Sequence, residues 1–187
     1  MNNLDHKTGA VMDRLRAALD AAEIFLDEPL GWAGVREFET RYGIELPEPY
    51  RSFIATVSNG IPGGPPDQGL VSLGEVPYAW PDLDPIALAR PFPLTAVWLW
   101  SVGWPPPDPQ ATPATVRDGI LPLGGEGCDM YWALVVTGAH RGHVWEIDGG
   151  GAQPFGAEFG YTTGASGFAG WMQHWLTREP WWNARRT

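Results

Sequence analysis

Two hydrophobic rhythms in one chain constrain its fold more than any other feature. Through the first sixty residues apolar side chains return every three or four positions, and around residue 130 they return every second position. The first spacing lines one face of a helix, the second one face of a strand. A chain with helical stripes first, strands next and a helical stripe again at its end reads as α+β. The expected architecture is an antiparallel sheet packed on one face by several helices.

Val11, Leu15, Leu19, Ala22 and Leu26 predict a helix over 8–27, ended by Pro29. Val35, Phe38 and Tyr42 predict a second over 33–42, with Gly43 placed for the left-handed conformation that closes helices. A third is expected over 47–58. Pro49 suits its first turn, Tyr50, Phe53, Ile54 and Val57 form its stripe, and Asn59-Gly60 closes it. Strands are expected at 70–73, 120–123, 130–136 and 143–147, the last two joined as a hairpin through 137–142. Met130, Trp132, Leu134 and Val136 share a face of the strongest strand, and 124–129 reads as a glycine-rich loop. Phe168, Trp171, Met172, Trp175 and Leu176 predict a closing helix over 166–177. Tyr50, Phe53, Val57, Leu134, Val144 and Trp171 are expected in the core. Between 61 and 118 Pro and Gly dominate, with a turn or two of helix within 82–90 and an extended stretch at 93–100. Five prolines between Trp104 and Pro113 exclude regular structure there. No repeat or linker interrupts the chain. It reads as a single domain over 1–187, with a core at about 32–177 and an irregular insert at about 61–118.

Length and charge narrow the function. The 187 residues suffice for one domain with a sizeable core. Only 18% are charged while 44% are hydrophobic, which excludes a disordered chain. Twenty-two acids against twelve bases leave a net charge of −10. Nucleic acid and anionic membranes, which need clustered Lys and Arg, are therefore not expected partners, and a basic protein is the natural complement. A single cysteine, Cys128, allows no intrachain disulfide and suits a reducing cytoplasm. The first residues lack the basic-then-apolar pattern of a signal peptide, and no apolar run approaches the ~20 residues that span a bilayer. A cytoplasmic protein is expected.

Particular residues then suggest a family. The stretch from Phe38 to Ile54, reading FETRYGIELPEPYRSFI and closing with Asn59-Gly60, resembles the opening signature of the SUKH superfamily, which includes the Smi/Knr-type regulators. Ile54 stands where that family usually carries Leu. Ile120 to Asp129 followed by Tyr131 to Val136 resembles its strand, glycine-rich loop and strand. Gly142-His-Val-Trp145 resembles its next strand, and Phe168, Trp171 and Leu176 its last helix. The likeness covers about 32–60 and 119–176 and leaves out 61–118. It implies a SUKH-like fold and a protein-binding module without catalytic residues. Bacterial members are mostly immunity proteins that bind and block a toxin domain, often a nuclease. A regulatory or scaffold protein of the same fold is the alternative within the family. A Trp-rich carbohydrate-binding module is the alternative outside it, since eleven Trp could stack on sugars, with Trp80, Trp100, Trp104, Trp181 and Trp182 the candidates for exposure.

No catalytic residue, metal or cofactor is expected. Cys128 is flanked by Glu126 and Asp129, which disfavour a thiolate. His140 and His143 are too few for a familiar metal spacing and would not face the same way on a strand. Gly124-Gly-Glu-Gly lacks the Lys-Ser/Thr of a phosphate loop, and its glycines read as positive-φ turn positions. Charge is the stronger signal. From Gly60 to Met130 eight acids face two arginines, a local net of −6. The expected partner-binding surface is the insert 61–118 with the 124–129 loop. Asp67, Asp82, Asp84, Glu126 and Asp129 would attract a basic toxin domain, and Trp80 and Trp104 would anchor it.

Overall fold

The computed structural model describes residues 3–100, 111–112 and 115–184. It is an α+β fold. The helices α1 (Asn3–Ala21), α2 (Gly31–Tyr42), α3 (Tyr50–Thr56) and α4 (Pro85–Ala89) come first. The strands β1 (Ile120–Gly127), β2 (Met130–Val135), β3 (Val144–Ile147) and β4 (Ala152–Pro154) follow, and α5 (Gly167–Leu176) closes the chain. The sheet is an antiparallel meander in the order β1-β2-β3-β4. No helix among the described residues is long and apolar enough to cross a membrane.

The expected core residues Tyr50, Phe53, Val57, Leu134, Val144 and Trp171 are all buried. Leu15 and Leu19 of α1, Val35 and Phe38 of α2, and Phe53 of α3 join Trp132, Leu134 and Val136 in one cluster between helices and sheet. Phe168 of α5 meets Tyr50 and Phe53 edge-on at 5.0 and 5.1 Å. Full burial of one such side chain contributes about 2–3 kcal/mol.

The first helix ends six residues before the expected position. Glu23 takes a left-handed φ of 53°. Ile24 N–H then reaches back to the Leu19 carbonyl and Glu23 N–H to that of Asp20. This is the glycine-type helix closure carried by a glutamate. Of the predicted stripe, Leu15 and Leu19 are buried, but Ala22 is exposed and Leu26 belongs to the loop that follows.

The insert is where expectation and structure part most. Its backbone is irregular, as the prolines dictate, but its apolar side chains form a second core on the far face of the sheet. Trp80, Phe92, Leu94, Trp98 and Val116 pack there with Tyr131, Val135 and Trp145. The sheet is thus covered on both faces, by helices on one and by the insert on the other. The 70–73 strand reduces to a bridge between Leu70 and Ile61. Residues 68–71 instead run along the free edge of β1, with Gln68 N–H donating to Gly125 and Val71 N–H to Leu123. At the opposite edge Trp98 and Ala152 exchange two backbone hydrogen bonds. Both edges of the meander are capped.

The 124–129 segment is mostly strand. β1 continues to Gly127, and only Cys128 and Asp129 turn, with φ of 50° and 60°. A two-residue turn with both φ positive matches the twist of the strands it joins. Gly124 and Gly125 are strand residues without positive φ. Gly124 is needed for close approach: a Cβ there would lie 2.2 Å from the Gly69 carbonyl oxygen.

Candidate partner-binding site

The β1–β2 turn and the insert meet at Tyr131. Its hydroxyl donates to the Tyr78 carbonyl at 3.0 Å and lies 3.5 Å from Asp129 Oδ1. Its ring meets Trp80 edge-on at 5.0 Å, and the Arg117 guanidinium covers Trp80 at 5.0 Å. Burial, then the Asp129 charge, raises the Tyr131 hydroxyl above its usual range, so it stays a donor. This assembly holds the Tyr78 backbone against the sheet while the Tyr78 side chain is 94% exposed beside an exposed Asp129.

The expected site residues divide among several places. Asp129 stands at the hairpin tip next to Tyr78. Asp82 is exposed. Asp84 is exposed too, and its carboxylate caps α4 by accepting Ile86 N–H at 3.0 Å. Asp67 lines a cavity of about 390 Å³ with Trp175, Arg178, Glu179 and Trp181. Trp104 lies outside the described residues. Two assignments are corrected. Trp80 is buried in the second core and cannot serve as an exposed anchor. Glu126 is no free surface charge, because its Oε1 accepts the indole N–H groups of Trp132 at 2.8 Å and Trp181 at 2.7 Å.

That last contact belongs to a feature the sequence left open. The tail after α5 folds back over the sheet. Trp181 stacks on Trp171 at 5.7 Å and Trp182 on Trp132 at 5.7 Å. Trp182 Nε1 donates to Glu146 Oε2 at 3.1 Å, and Asn183 Oδ1 accepts Thr163 N–H at 2.8 Å. Glu146 is the cross-strand partner of Trp132, so it points to the same covered face. Burial, then the charges of Glu126 and Asp148, push its carboxyl up to about 7. Alternation along β3 marks Glu146 as facing the Trp132 side, but only the folded tail shows what covers it.

Cys128 is exposed in the tight turn. His140 and His143 do meet, contrary to the strand argument. Both lie in the β2–β3 turn, where alternation does not apply, and their Nδ1 atoms are 3.0 Å apart. No cluster of three or more His, Cys, Asp and Glu side chains suited to a metal occurs among the described residues. Comparison of the chain with family models, with curated proteins and with solved structures gives no match.

Proposed function

We propose that this chain is a SUKH-like protein-binding module that takes a basic partner, in the manner of immunity proteins that neutralise a toxin domain. The observation that carries this reading is Tyr78, an almost fully exposed aromatic whose backbone carbonyl is held by the Tyr131 hydroxyl, which also lies near Asp129. Aromatic side chains on a fixed backbone are the usual anchors of protein interfaces, and a rim of like charge speeds encounter with an opposite partner. The net charge of −10 and the exposed Asp82 and Asp84 support the same sign of partner. A sugar-binding reading finds less support, since Trp80 is buried and Trp100, Trp181 and Trp182 are half-buried.

The test is binding to any basic toxin domain found encoded beside this gene, measured by surface-based kinetics. Tyr78→Ala should speed dissociation at a cost of about 2 kcal/mol, and Asp129→Lys should slow association. Unchanged rates in both folded variants, or no binding by the parent chain, overturn the proposal.

A further inference from the structure

The β2–β3 turn brings two imidazoles together. His143 N–H donates to the His140 carbonyl at 2.9 Å, which closes the turn and sets both side chains on one side of it. The Nδ1 atoms stand 3.0 Å apart with ring centroids at 5.1 Å. Both rings rest on Phe159, at 5.9 and 5.6 Å, and His140 also meets Trp145 edge-on at 6.0 Å. On the far side of His143, Nε2 lies 3.9 Å from Glu158 Oε1, which comes from the 3-10 turn Ala157–Phe159. Both histidines are half-buried, so the pair lies at the protein surface.

We infer that His140 and His143 chelate one divalent transition-metal ion of the imidazole-binding class, zinc, copper or nickel, through their Nδ1 atoms, with Glu158 orienting His143 from its outer nitrogen. The bite fits. Imidazole nitrogens bind zinc at about 2.0–2.1 Å, so a 3.0 Å separation subtends about 94° at the metal. An opening of about 0.3 Å reaches the tetrahedral angle. The outer carboxylate lies at 3.9 Å, beyond hydrogen-bond reach, and acts on His143 Nε2 through its charge. A small closure would bring it to where metal-bound histidines donate their second ring N–H, which fixes the tautomer. Glu158 favours Nε2–H on His143 and so leaves its Nδ1 lone pair facing His140. Without metal, His140 fills that lone pair with its own Nδ1–H. On binding, that proton moves to His140 Nε2, both Nδ1 lone pairs face the ion, and the imidazoles stay neutral. Water, or a side chain of a bound partner, completes the shell. Imidazole ligands suit this group of metals better than calcium or magnesium, which seek oxygen.

The experiment is a zinc chloride titration of the full chain, followed by NMR of the imidazole nitrogens. The expected result is saturation at one metal per chain, with Nδ1 of His140 and His143 shifting together and both rings in the Nε2–H form. His6 and His174 should not move. His140→Ala and His143→Ala should each weaken binding more than about tenfold, and Glu158→Gln by about tenfold. Thermal melts of the metal-free variants matching the parent show that folding is intact. Should a variant melt lower, His140→Gln and His143→Gln take its place. Binding that survives when His140→Ala and His143→Ala are combined, shifts led by His6 or His174, or no shift of either turn histidine overturns the site. Unchanged affinity in Glu158→Gln overturns the orienting role of that residue.

Discussion

A glutamate at a left-handed helix end shows what single residues contribute. Glu23 carries φ 53° without the freedom of glycine. Relieving that strain with Glu23→Gly should raise stability by about 1 kcal/mol in denaturant melts, because the closure hydrogen bonds are backbone ones and survive. A lower midpoint would mean that the Glu23 side chain itself holds the turn. The position was not legible in the sequence, since no residue there announces a stop and the apolar spacing runs on through Ala22 and Leu26. Gly43, by contrast, closes α2 at φ 66° as its residue type announces, because glycine there has one evident use. Glu146 makes a second prediction. Its native carboxyl is raised from 4.5 to about 7, so between these values the folded chain binds more protons than the unfolded one. Stability therefore falls as pH rises through that window and levels off above it. Glu146→Gln keeps an acceptor for Trp182 and removes the ionisation. At pH 8 it should stabilise the fold by on the order of 2 kcal/mol, allowing for partial solvent screening, and it should flatten this part of the pH profile. Melts across pH 4 to 8 decide it.

At the scale of elements, one ion pair joins three segments. Glu39 of α2 accepts Arg51 of α3 at both carboxylate oxygens, at 2.8 and 2.9 Å, and also takes the Leu46 N–H of the link between them. Burial works to raise the Glu39 carboxyl, but the Arg51 and Leu46 hydrogen bonds, with the charges of Arg51 and Arg141, outweigh it, and the result is a lowered value. A lowered carboxyl gives stability that is full above 4.5 and is lost as pH falls below it. Arg51→Ala, which also uncovers Trp32 beneath the guanidinium, should cost about 2 kcal/mol at pH 7 and much less at pH 3. An equal loss at both pH values would assign the effect to packing alone. Elements with one dominant period were legible: α2, α3, α5 and the β2–β3 hairpin all lie within a few residues of their expected bounds. β1 runs past its legible end at 123 because Gly124 and Gly125 look like loop in the sequence, whereas they serve the close passage of residues 66–69. The aromatic tail had no periodicity to read. Its place follows from Trp132 and Trp171, which offer ring faces, and from Glu126 and Glu146, which accept its indole N–H groups.

For the whole molecule, charge and shape would act on the proposed basic partner in separable ways. Asp82 and Asp84 are exposed, and reversing both to Lys should slow association with a basic partner and flatten its salt dependence while leaving dissociation nearly unchanged. A change confined to dissociation would place these acids inside the contact. The α+β class was legible because the order of rhythms fixes it. The doubled core was not, since the prolines of the insert hide the fact that Trp80, Phe92, Leu94 and Trp98 share one buried face. That hidden layer also explains why the expected site dispersed: acids of the insert stay outside, while its tryptophan at 80 turns inward. The capped sheet edges have a consequence for crowded solution. An open strand edge templates the addition of further strands, the first step toward fibrils. Here residues 68–71 and Trp98 occupy the backbone groups that such growth would need. The folded chain should therefore seed no cross-β assembly at high concentration, and the proposed partner would be gripped by side chains instead of by an added strand.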